Sequence, residues 1–239
     1  MAIITNTINY VDGDTVLEAF FAFDDEIQGQ RPAVLVSHPW AGRSEFTANK
    51  ARELAKLGYV GFALDMYGAG KLGQTDAECS ALMTPFIEDR ALLQRRILAA
   101  FANVKLLPWV DDKKIAAIGF CFGGLCVLDL ARSGADVKGV VSFHGLLNAP
   151  DNLENSKITA KILALHGHDD PLAPPEHVLA FEAEMTKAGA DWQLHAYGNT
   201  VHAFTNPLAT DFAAGYKFDE NANRRSWQAM ENFLTEIFA

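Results

Sequence analysis

The sequence predicts an α/β fold, a mostly parallel central sheet of about eight strands covered by helices on both faces. Three observations predict it. Short apolar runs alternate with segments of helical spacing along most of the chain. The runs Ala33–Ser37, Val60–Leu64 and Ile115–Phe120 are apolar without alternation, as strands buried on both faces must be. The 239 residues are 49% hydrophobic and 21% charged, enough to fill one large core with no sign of disorder.

Residues 3–10 and 16–23 alternate and predict two antiparallel strands joined around Asp12-Gly13-Asp14. The run Ala33–Ser37 is the next strand. Residues 45–57 have helical spacing, with Ala48, Ala51, Leu54 and Ala55 on one side, and stop before Gly58. A strand at Val60–Leu64 leads into a glycine-rich loop, Tyr67-Gly68-Ala69-Gly70. Residues 76–106 predict one or two helices. A strand at Ile115–Phe120 is followed by a helix over 122–132, then strands at Val137–Phe143 and Ile162–His166, a helix over 175–188 and a strand at Trp192–His195. Residues 197–220 have no period and predict a long loop. The closing helix carries Trp227, Met230, Phe233, Leu234 and Ile237 on one face. No repeat or linker interrupts this order, so a single domain over 1–239 is expected.

The net charge of −10 repels phosphate backbones and anionic lipid, which argues against nucleic acid and membrane partners. The first residues lack a basic n-region and a long apolar stretch, so neither a signal peptide nor a membrane span is expected. The three cysteines, Cys79, Cys121 and Cys126, form neither a disulfide framework nor a zinc pattern, and a reduced cytoplasmic setting fits them. No metal and no cofactor is expected, because none of the seven histidines stands in a metal-ligand spacing.

The strongest local signal is Gly119-Phe120-Cys121-Phe122-Gly123-Gly124, set between a buried strand and a helix. A nucleophile on a sharp strand-to-helix turn needs small residues two positions away on each side. The turn also aims a helix N-terminus at the sulfur, where partial positive charge favours thiolate. Cys126 lacks such a setting and reads as a small buried hydrophobe.

A thiol nucleophile needs a histidine base, and the base needs a group that sets its tautomer. The chain supplies both in the order nucleophile, acid, base. The acid loop is Gly167-His168-Asp169-Asp170-Pro171-Leu172-Ala173-Pro174. Asp170 is preferred because Pro171 can stiffen the turn that presents it; Asp169 competes, and also suits a cap for the helix near 175. His202 lies in the loop before the last helix and is the expected base. Two backbone N–H groups should form the oxyanion hole: that of Phe122, and that of Trp40 in the loop after Ala33–Ser37, since Pro39 has none. His38, His144 and His166 lie at strand ends and read mainly as satisfied core histidines.

With these residues in view, the chain resembles the dienelactone hydrolase family of α/β-hydrolases. The resemblance rests on the Cys121 elbow, the Gly167–Pro174 and His202-Ala203-Phe204 loops, and Leu64-Asp65-Met66-Tyr67-Gly68. It implies the α/β-hydrolase fold, no cofactor, and hydrolysis of esters or enol-lactones through an acyl-thiol intermediate. It carries over Cys121, Asp170 and His202 as the triad, with Phe122 and Trp40 as oxyanion donors. Dienelactone-cleaving members have a Glu in the loop after the third strand, where Pro39 stands here; Cys121 is then expected to pair directly with His202 as thiolate and imidazolium. They also have an Arg four residues after the catalytic His, where Asn206 stands. An amide does not replace a guanidinium clamp, so a neutral small-molecule ester or lactone is expected as substrate.

Arg90, Arg95 and Arg96 are expected on a solvated helix face, with Arg90 the candidate to reach the pocket. His38, Pro39, Tyr67, Phe86, Phe204 and Asn206 are the other pocket candidates. An activated thiolate could also attack a neutral phosphotriester. The same triad would serve a thioesterase or acyltransferase, and a non-catalytic ligand-binding protein on this scaffold is the reading from another class. A Cys121–Cys126 redox sensor is weaker, since no C-x-x-C is present. A monomer or a homodimer is expected.

Overall fold

The computed structural model describes residues 2–151 and 157–239. The elements are β1 (Ile3–Asp12), β2 (Thr15–Asp24), β3 (Arg31–Ser37), α1 (Glu45–Lys56), β4 (Val60–Ala63), α2 (Asp76–Glu88), α3 (Arg90–Val104), β5 (Val110–Phe120), α4 (Phe122–Arg132), β6 (Gly139–Phe143), β7 (Lys161–Gly167), α5 (Pro175–Ala188), β8 (Trp192–Tyr197), β9 (Thr210–Asp211), β10 (Tyr216–Lys217) and α6 (Glu220–Phe238). Eight strands form one mostly parallel sheet in the order β1-β2-β4-β3-β5-β6-β7-β8, the α/β-hydrolase fold. The chain divides into two compact units, Met1–Ile118 and Gly119–Ala239.

In the first unit β1 and β2 pair antiparallel over their whole length, from Ile3 opposite Asp24 to Asp12 opposite Thr15. The turn is therefore only Gly13-Asp14, shorter than expected, and Gly13 at φ 56° supplies the left-handed conformation such a turn requires. Strand β4 joins β2 antiparallel and β3 parallel. Helix α1 lies so close to β4 that a Cβ on Gly61 would sit 2.2 Å from the Ala51 carbonyl oxygen. Residues 76–106 form two helices, because the chain breaks at Asp89. The Asp89 carboxylate then caps α3 by accepting from the N–H groups of Ala91 and Leu92. Strand β5 begins five residues before the expected start; its first half contains Asp111-Asp112-Lys113-Lys114, whose polarity hid it.

The expected solvated arginine face holds for Arg95, which is exposed, but not for Arg90 and Arg96. Arg90 and Arg96 are buried on α3. Arg96 donates to the Asp12 carboxylate at 2.8 Å and to the Met66 carbonyl at 2.9 Å, and Arg95 donates to Asp12 at 2.9 Å. A buried carboxylate at the hairpin turn needs cations, and α3 supplies them.

In the second unit β6, β7 and β8 run parallel. All eleven residues of α4 are buried, so its apolar sequence reflects burial on every side rather than one stripe. Its last residue, Arg132, is fully buried and donates to Glu184, Asp129 and the carbonyls of Leu147 and Asn148. Helix α6 buries Met230, Phe233 and Leu234, as its spacing predicts. The expected long loop at 197–220 is shorter than it read: β8 continues to Tyr197, and the small β9–β10 hairpin lies inside it.

Candidate active site

The elbow is built from the residues that flank it. Strand β5 ends at Phe120 and α4 starts at Phe122, which leaves Cys121 alone at the turn with φ 55° and ψ −119°. A non-glycine residue rarely takes that conformation, and it costs on the order of 1–3 kcal/mol. The Cys121 N–H donates to the Phe143 carbonyl at 3.0 Å and holds the turn in place. A Cβ on Gly119 would lie 2.0 Å from the Gly123 carbonyl oxygen, so the small residue expected there is a steric necessity. Gly124 has a similar role that the sequence did not reveal: a Cβ there would lie 2.7 Å from the Cα of Gly145.

Asp170 is buried, and its Oδ2 lies 2.8 Å from Nδ1 of His202, which is buried too. Its Oδ1 accepts from the Leu172 N–H at 2.9 Å, which orients the carboxylate. Asp169 is exposed, and of the two acids it is Asp170 that meets His202. Nor does Asp169 cap α5, whose N-cap is Pro174 with no side-chain bond.

The other ring nitrogen of His202, Nε2, is buried, and its interaction with the Cys121 sulfur falls outside the geometry of a formed hydrogen bond. Such catalytic bonds are often long before substrate binds. Burial of the ring opposes its charge. The Cys121 charge and the Asp170 hydrogen bond outweigh it, and the His202 pKa is pushed up to about 10. The base loop is itself strained, with Asn199 at φ 56° and Ala203 at φ 57°.

The pocket candidates fall into two groups. In the first unit His38, Tyr67 and Phe86 come together. The His38 and Tyr67 rings lie 4.7 Å apart, those of Tyr67 and Phe86 lie 5.7 Å apart, and the Tyr67 hydroxyl donates to the Trp40 carbonyl at 2.9 Å. His38 is a satisfied core histidine: Nδ1 lies 2.7 Å from the Pro39 carbonyl, and Nε2 accepts from the Met66 N–H. Burial keeps its pKa below the ordinary value. In the second unit Phe204 is wholly buried and packs against Tyr197 and His144. The Asn206 amide oxygen accepts from the Leu208 N–H at 3.0 Å and so closes its own turn. His144 and His166 depart from the satisfied-core reading, since Nδ1 of each is buried with no hydrogen-bond partner among the described residues. Among the described residues no group of three or more His, Cys, Asp or Glu side chains is placed to hold a metal ion.

A model of the dienelactone hydrolase family matches residues 17–238. The chain belongs to the dienelactone hydrolase family. Among its relatives of known structure is a dienelactone hydrolase-like promiscuous phosphotriesterase from metagenomic libraries, 38% identical, with a TM-score of 0.96 and full coverage of both chains. A Bradyrhizobium protein named "Probable 2-oxo-3-(5-oxofuran-2-ylidene)propanoate lactonase" is 27% identical over 216 residues, 85% of this chain and 86% of that one. A dienelactone hydrolase from Anabaena variabilis, at 19% identity, TM-score 0.71 and full coverage of both chains, shares the fold. The chain is thus a dienelactone hydrolase-like hydrolase. No helix among the described residues is long and apolar enough to cross a membrane.

Proposed function

We propose that the protein hydrolyses small neutral carboxylic esters or lactones, with Cys121 as nucleophile, His202 as base and Asp170 as the group that orients it. The observation that carries this reading is the 2.8 Å bond between Asp170 and His202, on a histidine whose opposite nitrogen is turned to a cysteine held at a strained elbow. The raised pKa of His202 supports a resting thiolate–imidazolium pair. The Cys121 thiolate attacks the carbonyl carbon, and the electron pair of the C=O bond moves to oxygen. The N–H of Phe122, the first residue of α4 and next to Cys121, is proposed to receive this oxyanion. As the carbonyl re-forms, the alkoxide leaves and takes a proton from Nε2 of His202. Neutral His202 then removes a proton from water, whose oxygen attacks the acyl-thiol and expels the thiolate.

The family model spans both units, which supports reading them as one hydrolase domain. The reduced cysteines support a cytoplasmic setting. Turnover of p-nitrophenyl acetate and butyrate by wild type and Cys121→Ala tests the chemistry; equal rates would overturn it. Iodoacetamide labelling against pH tests the resting pair, which is wrong if labelling rises only near about pH 8.5, where a free thiol ionises.

A second reading is favoured by the phosphotriesterase relative. The same thiolate would attack the phosphorus of a neutral phosphotriester and displace its aryl oxide. Turnover of an organophosphate chromogen that disappears in Cys121→Ala is the expected result.

A further inference from the structure

The residue after β6 is a buried titratable group in contact with the base that the proposed chemistry leaves unused. His144 is 2% exposed and sits at φ 38°. Among the described residues only four non-glycines take positive φ: Cys121 at the elbow, His144, and Asn199 and Ala203 in the base loop. Strain of this kind persists only where the surroundings enforce it, and it gathers at functional sites. The surroundings of His144 are specific. Its N–H donates to the Leu165 carbonyl at 2.8 Å, and its Nε2 lies 2.8 Å from the Thr205 hydroxyl, three residues past His202. Its ring stands edge-on to His202 at 5.0 Å and 70°, and edge-on to Phe204 at 5.0 Å and 81°.

One step of chain therefore reaches both reacting partners. The carbonyl of Phe143 holds the Cys121 N–H, and the side chain of His144 touches the His202 ring and the loop that carries it. We propose that His144 is a positioning residue for this reaction: an uncharged imidazole that, anchored to Thr205, holds the His202 ring between Asp170 and Cys121. The proposal rests on the triad reading above. A charged ring there would repel an imidazolium base, and burial together with the nearby His202 keeps His144 well below its ordinary pKa. His166, buried at the end of β7, is also held below its ordinary pKa, chiefly by burial, with Asp170 acting in the opposite sense. A phenylalanine would fill the same space but could not engage Thr205, and this separates positioning from mere packing.

The test compares His144→Phe, His144→Gln, Thr205→Val and the double variant His144→Phe/Thr205→Val. The readouts are kcat and KM for p-nitrophenyl butyrate, melting temperature, and the pH profile of iodoacetamide labelling of Cys121. His144→Phe and Thr205→Val should each lower kcat by about tenfold or more, as small misplacements of reacting groups do. KM should stay within about twofold, since ground-state binding is untouched. The labelling profile should move toward that of a free thiol. His144→Gln, whose amide reaches the Nε2 position, should recover most of kcat, and the double variant should be no worse than the worse single one. Wild-type kcat and an unmoved labelling profile in His144→Phe and Thr205→Val, with only melting temperature lowered, would overturn the proposal. Cys121→Ala in the same assay separates the two failures. If it retains turnover, the triad reading is wrong; if it is inactive while His144→Phe is fully active, only the role of His144 is wrong.

Discussion

Asp170 and His202 meet at 2.8 Å in the candidate site, and the direct test of their role is Asp170→Asn. The amide cannot balance an imidazolium and can hold the wrong tautomer, so kcat should fall by about 10³–10⁴-fold with little change in KM. Iodoacetamide labelling should shift to higher pH in the same variant, because His202 loses the group that helps keep its proton. Stability follows the same proton. Folding pushes the His202 pKa up from 6.5 to about 10, so between these values the folded ring holds a proton that the unfolded ring has lost. Its contribution is complete below about pH 6.5 and is lost as pH rises through about 10. The Cys121 thiolate that raises this pKa has itself given up a proton, so in wild type the net fall of stability should appear in chemical denaturation only above about pH 8.5, where an unfolded thiol has ionised too; a fall between about pH 6.5 and 8.5 would refute the resting pair. Cys121, His202 and the loop that carries the acid were legible from local order alone. The exclusion of Asp169 was not, because two adjacent acids look alike until one is seen to face the base.

At the scale of elements, the elbow depends on atoms that are absent. Gly119→Ala would place a methyl 2.0 Å from a backbone oxygen, which no rotamer can relieve. The strand end or the helix start must move, and a loss of about 3 kcal/mol or more is expected, with activity falling beyond the loss of folded protein. The hairpin and α3 depend on charge instead. Asp12→Asn leaves Arg96, whose side chain is 6% exposed, without its carboxylate, and breaking such a buried pair should cost about 3–5 kcal/mol. Urea unfolding would measure it, and a change below about 1 kcal/mol, the worth of a surface pair, would show the pair to be screened. The charges of α3 read as a solvated face because helical spacing reports which side a residue is on, not what waits there.

At the scale of the whole molecule, charge and cation placement bear on the substrate. The chain carries a net charge of −10. Asn206 spends its amide oxygen on its own turn, and Arg95 and Arg96 are committed to Asp12. With Asn206 where a clamping Arg would stand, the proposed substrate is neutral. Neutral esters should exceed carboxylate-bearing analogues of equal size by about tenfold or more in kcat/KM, the worth of one charge-assisted hydrogen bond. A preference for the anionic analogue would show that another cation serves the pocket.

The sequence by itself determined the fold class, the strand and helix order, the elbow, the candidate nucleophile and base, and the loop that carries the acid. Each of these is encoded by neighbours in the chain: apolar runs, glycines beside a nucleophile, an acid and a base in late loops. Only the tertiary structure decided that Asp170 rather than Asp169 meets His202, that Arg96 closes on Asp12, that Gly124 must be small, and that His144 stands against the base. These facts depend on residues 21 to 84 positions apart meeting in space. No local period or motif records such a meeting; it is set by how strands and helices pack.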